Sequence, residues 1–332
     1  MDFPFYTGKP LKQPRAIPVE LPPSRQSRQT CPETYLPDEG LVDAVNVALL
    51  LGQPLLLTGE PGTGKTQLAY HLAHQLGLGE PLKFETKSTS TARDLFYIYD
   101  VLGRFHAAQL GETSSKNSLD YLTYNALGQA IILTNSPEQV KNYLTDALIY
   151  TEPRRSVVLI DEIDKAPRDF PNDILNEIEN LYFRIPEVGN VTLKADSNLS
   201  PILIFTSNSE KHLPDAFLRR CIYYDIPFPP LDRLAEIIQA RLGEWVEHSS
   251  DFIAAALSLF FQLRQSGLRK KPSTAELLNW LMVLRDMYKE EKNPLAAYPD
   301  SILRTLSSLV KTQADQQAAR RILQDYNDNQ IS

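Results

Sequence analysis

Gly59-Glu60-Pro61-Gly62-Thr63-Gly64-Lys65-Thr66 fits the pattern G-x-x-x-x-G-K-[ST] at every position. Before it, Pro54-Leu55-Leu56-Leu57-Thr58 reads as a short, fully buried strand, and after it Lys65 to about Leu76 reads as a helix. Strand, glycine-rich turn and helix make the context that a phosphate-binding loop needs. The glycines let backbone N–H groups turn inward around an anion seated at a helix N-terminus. Gly59, Glu60, Pro61, Gly62, Thr63, Gly64, Lys65, Thr66 and Gln67 are therefore the candidate nucleotide-binding residues. Lys65 is placed to reach the outer phosphates, and the Thr66 hydroxyl to serve as a Mg2+ ligand.

Working outward, Val157-Val158-Leu159-Ile160 reads as a buried strand that delivers Asp161 and Glu162 to its tip, where ligands bind in open α/β sheets. Asp161 is placed to hold Mg2+, partly through water, and Glu162 to orient and activate an attacking water. A second acidic residue here separates hydrolytic machines from nucleotide kinases, which need no water activator. The next buried strand, Pro201 to Thr206, ends in Thr206-Ser207-Asn208, and the Asn208 amide can bond both a terminal phosphate and the attacking water. Arg219-Arg220 follow Leu213 to Leu218 and precede a strand over Ile222 to Ile226. They read either as solvated arginines near a helix end or as a source of positive charge for phosphoryl transfer across a subunit boundary.

The rest of the chain divides by pattern. Residues 1–37 carry Pro4, Pro10, Pro14, Pro18, Pro22, Pro23, Pro32 and Pro37 among scattered basic residues, which excludes helix or central strand and reads as an extended arm. Residues 38–51 read as a helix entered at Asp38. Leu82 to Glu85 and Phe96 to Tyr99 read as strands, 111–118 as a polar loop, and 137–150 and 172–180 as helices. Alternation over 183–199 around Gly189-Asn190 suggests a hairpin. After Pro227-Phe228-Pro229-Pro230 the strands stop, and 231–245, 250–266, 274–291 and 299–326 read as amphipathic helices. The expected organisation is an arm over 1–37, an α/β domain over 38–230 and a helical domain over 231–332.

The 332 residues suffice for one large domain or two ordinary ones. With 42% hydrophobic and 23% charged residues, the composition is that of a globular protein. A net charge of −7 does not suit coating a phosphate backbone, so no nucleic-acid partner is expected. Cys31 and Cys221 lie far apart without metal-ligand spacing, which argues against a disulfide framework or zinc site and fits a reducing compartment. No signal peptide or membrane span is read, and a cytoplasmic location is expected.

Phosphate loop, acidic pair, strand-end asparagine, then arginines before a short strand and a helical lid: this sequence resembles an AAA+ ATPase. More narrowly, Thr58-Gly59-Glu60-Pro61-Gly62-Thr63-Gly64-Lys65-Thr66, Asp161-Glu162-Ile163-Asp164-Lys165-Ala166 and Thr206-Ser207-Asn208-Ser209 are similar to the MoxR-like family. The resemblance covers roughly residues 36–291. It implies a P-loop NTPase of AAA+ type, a three-layer α/β/α parallel-sheet domain followed by a small all-helical lid, using ATP and Mg2+. It implies a homo-hexamer, with Asn208 resembling sensor 1 and Arg220 or Arg219 the arginine finger; Arg220 is favoured because it abuts the following strand. It also implies chaperone-like maturation of a protein client, often with a von Willebrand factor A-domain partner.

Ninety-five residues separate Thr66 from Asp161, more than a strand–helix–strand path needs, so an insertion is expected, about 93–125. Within it, Tyr97 and Tyr99 either face a central pore or pack as strand residues. The hairpin around Gly189 resembles the pre-sensor hairpin of the same branch. One departure stands out: where AAA+ proteins usually place a sensor 2 arginine, this chain has Ser273-Thr274-Ala275-Glu276, a capping box, with Arg269 and Lys271 the nearest substitutes. A nucleic-acid-directed motor and a slow nucleotide-gated switch are the competing readings. Stimulation of ATPase by nucleic acid would favour the first of these, and tight nucleotide retention the second.

Overall fold

The computed structural model describes residue 21 and residues 32–110, 117–208, 212–243, 245, 250–288, 291, 293–298 and 303–331. Most of the proline-rich arm, the polar loop at 111–116 and Ser209 lie outside these described residues. The described residues divide into two compact units, one over Leu36–Phe228 and one formed by those after Phe228 with the described residues up to Tyr35.

The first unit begins with α1 (Glu39–Leu51), whose N-terminus is capped by Asp38: its Oδ1 accepts the Leu41 N–H at 3.0 Å. Leu41, Val45 and Ala48 form its buried stripe. Strand β1 (Leu55–Gly59) leads through the glycine loop into α2 (Lys65–Gln75), which buries Leu68, Ala69 and Leu72. Then come β2 (Leu82–Glu85), β3 (Tyr97–Tyr99), α3 (Val101–Gln109), β4 (Leu122–Tyr124) and α4 (Ala126–Leu133). A short α5 (Pro137–Val140) precedes β5 (Val157–Asp161); α6 (Phe170–Asp173) and α7 (Leu175–Asn180) lead to the hairpin of β6 (Tyr182–Ile185) and β7 (Val191–Lys194). β8 (Ile202–Thr206), α8 (Asp215–Leu218) and β9 (Ile222–Ile226) complete the unit.

The main sheet has the order β2-β5-β8-β1-β9 with every pairing parallel. Helices flank it: α2 packs on β1, β5 and β8, and α4 on β2 and β5. Central strands in such a sheet are covered on both faces, which is why they read as unbroken apolar runs. Val157, Val158, Leu159 and Ile160 are all fully buried, each stabilising the fold by about 1.5–3 kcal/mol relative to exposure. The sheet brings the tips of β1, β5 and β8 side by side, so the phosphate loop, Asp161 and Thr206 meet although they are distant in sequence.

The long insert is a small structured element. β3 pairs antiparallel with β4, and Phe183 of β6 stacks on Phe96 with centroids 5.3 Å apart while touching the rings of Tyr97 and Tyr124. This packing corrects the pore-facing alternative for two residues. Tyr97 is 1% and Tyr99 7% exposed, and the Tyr97 hydroxyl donates to Glu187 Oε2 at 2.9 Å. Both pack as strand residues.

The helix expected over 137–150 is only one turn long. After Val140 the chain turns, and the Tyr150 hydroxyl donates to the Asn135 carbonyl at 2.6 Å, folding the segment back on itself. Conversely, α4 was hidden in sequence because it is apolar all round: every residue from Ala126 to Leu133 except Gln129 is buried, which erases the amphipathic signal.

The second unit is helical among its described residues. α9 (Leu231–Leu242) buries Leu234, Ile238 and Leu242; α10 (Ser250–Gln265) buries Phe252, Ala256, Leu259, Phe260 and Leu263. α11 (Thr274–Met287) starts at the expected capping box, with the Ser273 N–H donating to Glu276 Oε2 at 2.8 Å. Trp280 lies in this core and donates its indole N–H to Thr305 Oγ1 at 2.9 Å. The helix expected over 299–326 is interrupted before α12 (Gln313–Ile331), and the turn Pro32–Thr34 packs against α9.

Candidate nucleotide site

The loop between β1 and α2 carries Gly59 at φ 134°, Gly62 at φ 80° and Gly64 at φ 96°, a run of backbone that side-chain-bearing residues rarely adopt. Gly59 has a second constraint: a Cβ there would lie 2.6 Å from the Ile226 carbonyl oxygen of β9. Thr63 Oγ1 donates to the Glu60 carbonyl at 2.9 Å, closing the loop. Lys65 Nζ crosses it, donating to the carbonyls of Gly59 at 2.8 Å and Glu60 at 3.0 Å. Burial lowers the Lys65 pKa from its ordinary value, opposed by the field of Asp164, Asp161, Asp225 and Glu162. Gln67 Oε1 is buried with no hydrogen-bond partner among the described residues.

Asp161 stands at the centre of the site. Its Oδ1 accepts from Thr66 Oγ1 at 2.9 Å and from Thr206 Oγ1 at 2.6 Å. Its Oδ2 lies 3.1 Å from Lys83 Nζ, which comes from the neighbouring edge strand and also donates to Glu85 Oε1 at 2.7 Å. Burial works to lower the Lys83 pKa, but the two carboxylates outweigh it and hold the ammonium above its ordinary value.

Glu162 adopts the left-handed conformation at φ 57°. Its N–H donates to Thr206 Oγ1 at 2.8 Å, so one buried hydroxyl fixes both acidic residues. The Glu162 carboxylate accepts from the Asn208 amide at 3.1 Å through one oxygen and from Lys165 through the other. The Asn208 backbone N–H in turn donates to the buried Asp164 at 3.2 Å.

Sequence reading thus picked out the residues that meet here, Lys65, Thr66, Asp161, Glu162 and Asn208, but missed Lys83, Lys165 and the double role of Thr206. Lys165 was legible in principle, since it follows Glu162 by one turn. Lys83 was not, because its partner is set by the register of β2 on β5, where Glu85 lies opposite Asp161.

The donor set suits magnesium. A hydroxyl and a carboxylate, both hard oxygen donors and 2.9 Å apart, are what a small cation held jointly with phosphate oxygens requires. Together the loop N–H groups, the Lys65 ammonium and this oxygen pair can hold a nucleotide triphosphate, with a carboxylate and an amide nearby to position water.

A family model described as AAA domain (dynein-related subfamily) matches residues 54–221, half of the chain. This chain belongs to that AAA family. It is an ATP-hydrolysing AAA+ ATPase with the P-loop NTPase fold that its parallel sheet displays. Among solved structures the ATPase is similar to a RuvB mutant from Thermotoga maritima, at 18% identity over 84% of this chain and 73% of that one, with a TM-score of 0.45. No curated protein matches it.

The arginines of this ATPase differ in setting. Arg220 Nε donates to Glu179 Oε2 at 3.0 Å and its Nη1 to the Ala216 carbonyl at 3.0 Å, so it is engaged within its own chain. Arg219 is exposed. The basic run near the sensor 2 position is held by its backbone: the Arg269 and Lys270 N–H groups donate to Asp315 at 3.0 and 3.2 Å, leaving three exposed basic residues on the loop. No helix among the described residues is long and apolar enough to cross a membrane.

Proposed function

We propose that this ATPase is a MoxR-like remodelling machine, a cytoplasmic homo-hexamer that hydrolyses Mg2+-ATP to mature a partner protein complex, with a von Willebrand factor A-domain protein as a natural partner. In this reading Lys65 and the loop N–H groups hold the phosphates, and Thr66 and Asp161 hold the magnesium, which neutralises phosphate charge when bound. Glu162 and Asn208 position the attacking water, and an arginine of the neighbouring subunit answers the developing charge. Lys165 and Asn208, each on one oxygen of Glu162, orient that carboxylate.

The observation that carries the protein-directed reading is the chemistry of the insert. Once Tyr97 and Tyr99 are buried, the insert still exposes five large apolar side chains, Ile98, Val101, Leu102, Phe105 and Leu110, interspersed with Arg104, His106 and Gln109, and Leu102 is 72% exposed. Five exposed apolar side chains on one short segment support contact with protein, whereas a groove that tracks phosphate would present several Lys and Arg.

The test uses Glu162→Gln, which keeps the metal and phosphate ligands but removes the water activator. It is expected to bind ATP and to lose at least about 100-fold in turnover, the scale of a general base. Affinity capture with this trapped form should retain a protein client, and the retained client should dissociate on exchange to ADP. DNA and RNA should leave the wild-type ATPase rate unchanged at physiological salt. A several-fold stimulation by either polymer would instead support a nucleic-acid-directed motor.

A further inference from the structure

Lys83 occupies an unusual position for a positive charge. It lies on the edge strand β2, and its ammonium reaches across to Oδ2 of Asp161, the oxygen not used by Thr66 and Thr206. An ionised carboxylate offers about four lone-pair sites. Here Thr66, Thr206 and Lys83 take three of them. Only one of the three donors carries a full charge, and it competes directly with any cation for the same carboxylate. Lys83 is shared with a second carboxylate, Glu85, two residues along the same strand and opposite Asp161 in register.

We infer that Lys83 is a positioning residue that sets the magnesium affinity of the nucleotide site, weakening the metal's hold on Asp161, with Glu85 acting as the counterweight that draws the ammonium away. The inference rests on the reading of Asp161 as a magnesium ligand. Removing the ammonium leaves Asp161 with a stronger field for a divalent cation. Removing the charge of Glu85 leaves Lys83 with Asp161 as its remaining carboxylate and deepens the competition. The two substitutions therefore act in opposite directions, which a general loss of structure would not produce.

The measurement is the Kd of the full chain for a fluorescent, non-hydrolysed ATP analogue, taken in EDTA and in saturating magnesium. The ratio of the two values is the metal's own contribution to binding, by linkage. Lys83→Met should raise that ratio by about tenfold, the lower end of the scale on which groups outside the coordination sphere change metal affinity, with the sign reversed because this group is a cation competing with the metal. Lys83→Arg, which keeps the ion pair, should stay near wild type, and Glu85→Gln should lower the ratio. A ratio in Lys83→Met that is unchanged or smaller overturns the inference. If Lys83→Met does not fold, Glu85→Gln decides alone, and a ratio unchanged or raised there overturns it equally. A wild-type ratio of one, with no contribution from magnesium at all, would instead remove the metal site on which the inference stands.

Discussion

Thr206 shows how much of the site hangs on one hydroxyl. It is 1% exposed, donates to Asp161 Oδ1 at 2.6 Å and accepts the Glu162 N–H at 2.8 Å. The second bond matters because Glu162 sits at φ 57°, a conformation that a non-glycine residue holds only when its surroundings enforce it. Thr206→Val keeps the shape and deletes both bonds, leaving a part-buried N–H and the buried Asp161 carboxylate without that partner. The expected cost is about 1–3 kcal/mol in urea unfolding. Turnover should fall while ATP affinity measured in EDTA changes little, because the phosphate ligands are untouched. A variant with wild-type stability would mean that Glu162 holds its conformation without Thr206.

At the scale of elements, α4 makes a prediction that opposes helix propensity. Gly128 lies inside α4, and exchanging an interior glycine for alanine ordinarily favours a helix by about 1 kcal/mol. Here a Cβ would stand 2.0 Å from the Phe96 carbonyl oxygen. That carbonyl cannot readily yield, since it also accepts the Asn125 N–H at 2.8 Å. Gly128→Ala must therefore push α4 away from the segment that positions β3, and overpacking of this kind costs about 1–3 kcal/mol. The melting temperature should drop by several degrees. A rise would show that propensity wins and that α4 is free to shift. The same element explains where sequence reading was weakest: β1, β5 and β8 were legible as apolar runs ended by polar residues, while α4, buried all round, offered no periodicity to read.

For the whole molecule, the proposal that an arginine is supplied in trans is the feature to test. The sequence favoured Arg220 for its place beside β9, but the structure gives Arg220 partners in its own chain, Glu179 and the Ala216 carbonyl. Arg219 is the exposed member of the pair and is the better candidate to reach a neighbouring subunit. Arg219→Ala should lose about 10³-fold or more in turnover, the scale of a missing arginine finger. Arg220→Ala should lose less, because a partly exposed ion pair contributes only about 0–1 kcal/mol. Mixing Arg219→Ala with Lys65→Ala subunits should restore activity, since one supplies an intact nucleotide site and the other an intact arginine. The rate per chain should rise with protein concentration. Failure of the mixture to exceed its components, or a rate independent of concentration, would show that the site is complete within one chain.

What the sequence by itself determined is what neighbours along the chain can dictate. Glycines at Gly59, Gly62 and Gly64 permit the loop's φ values, Asp38 and Ser273 cap their helices, and the apolar run Val157 to Ile160 must be buried and must end at Asp161 and Glu162. Tertiary structure decided everything that depends on register and on which faces meet. β2 against β5 brings Lys83 to Asp161; β8 beside β5 puts Thr206 between the two acidic residues; Phe183 buries Tyr97; Glu179 takes Arg220. Hydrogen bonds and ion pairs fall off within a few ångströms, so a partner 44 or 45 residues away, as Thr206 is from Glu162 and Asp161, is chosen only when the sheet has closed and set the two strands side by side.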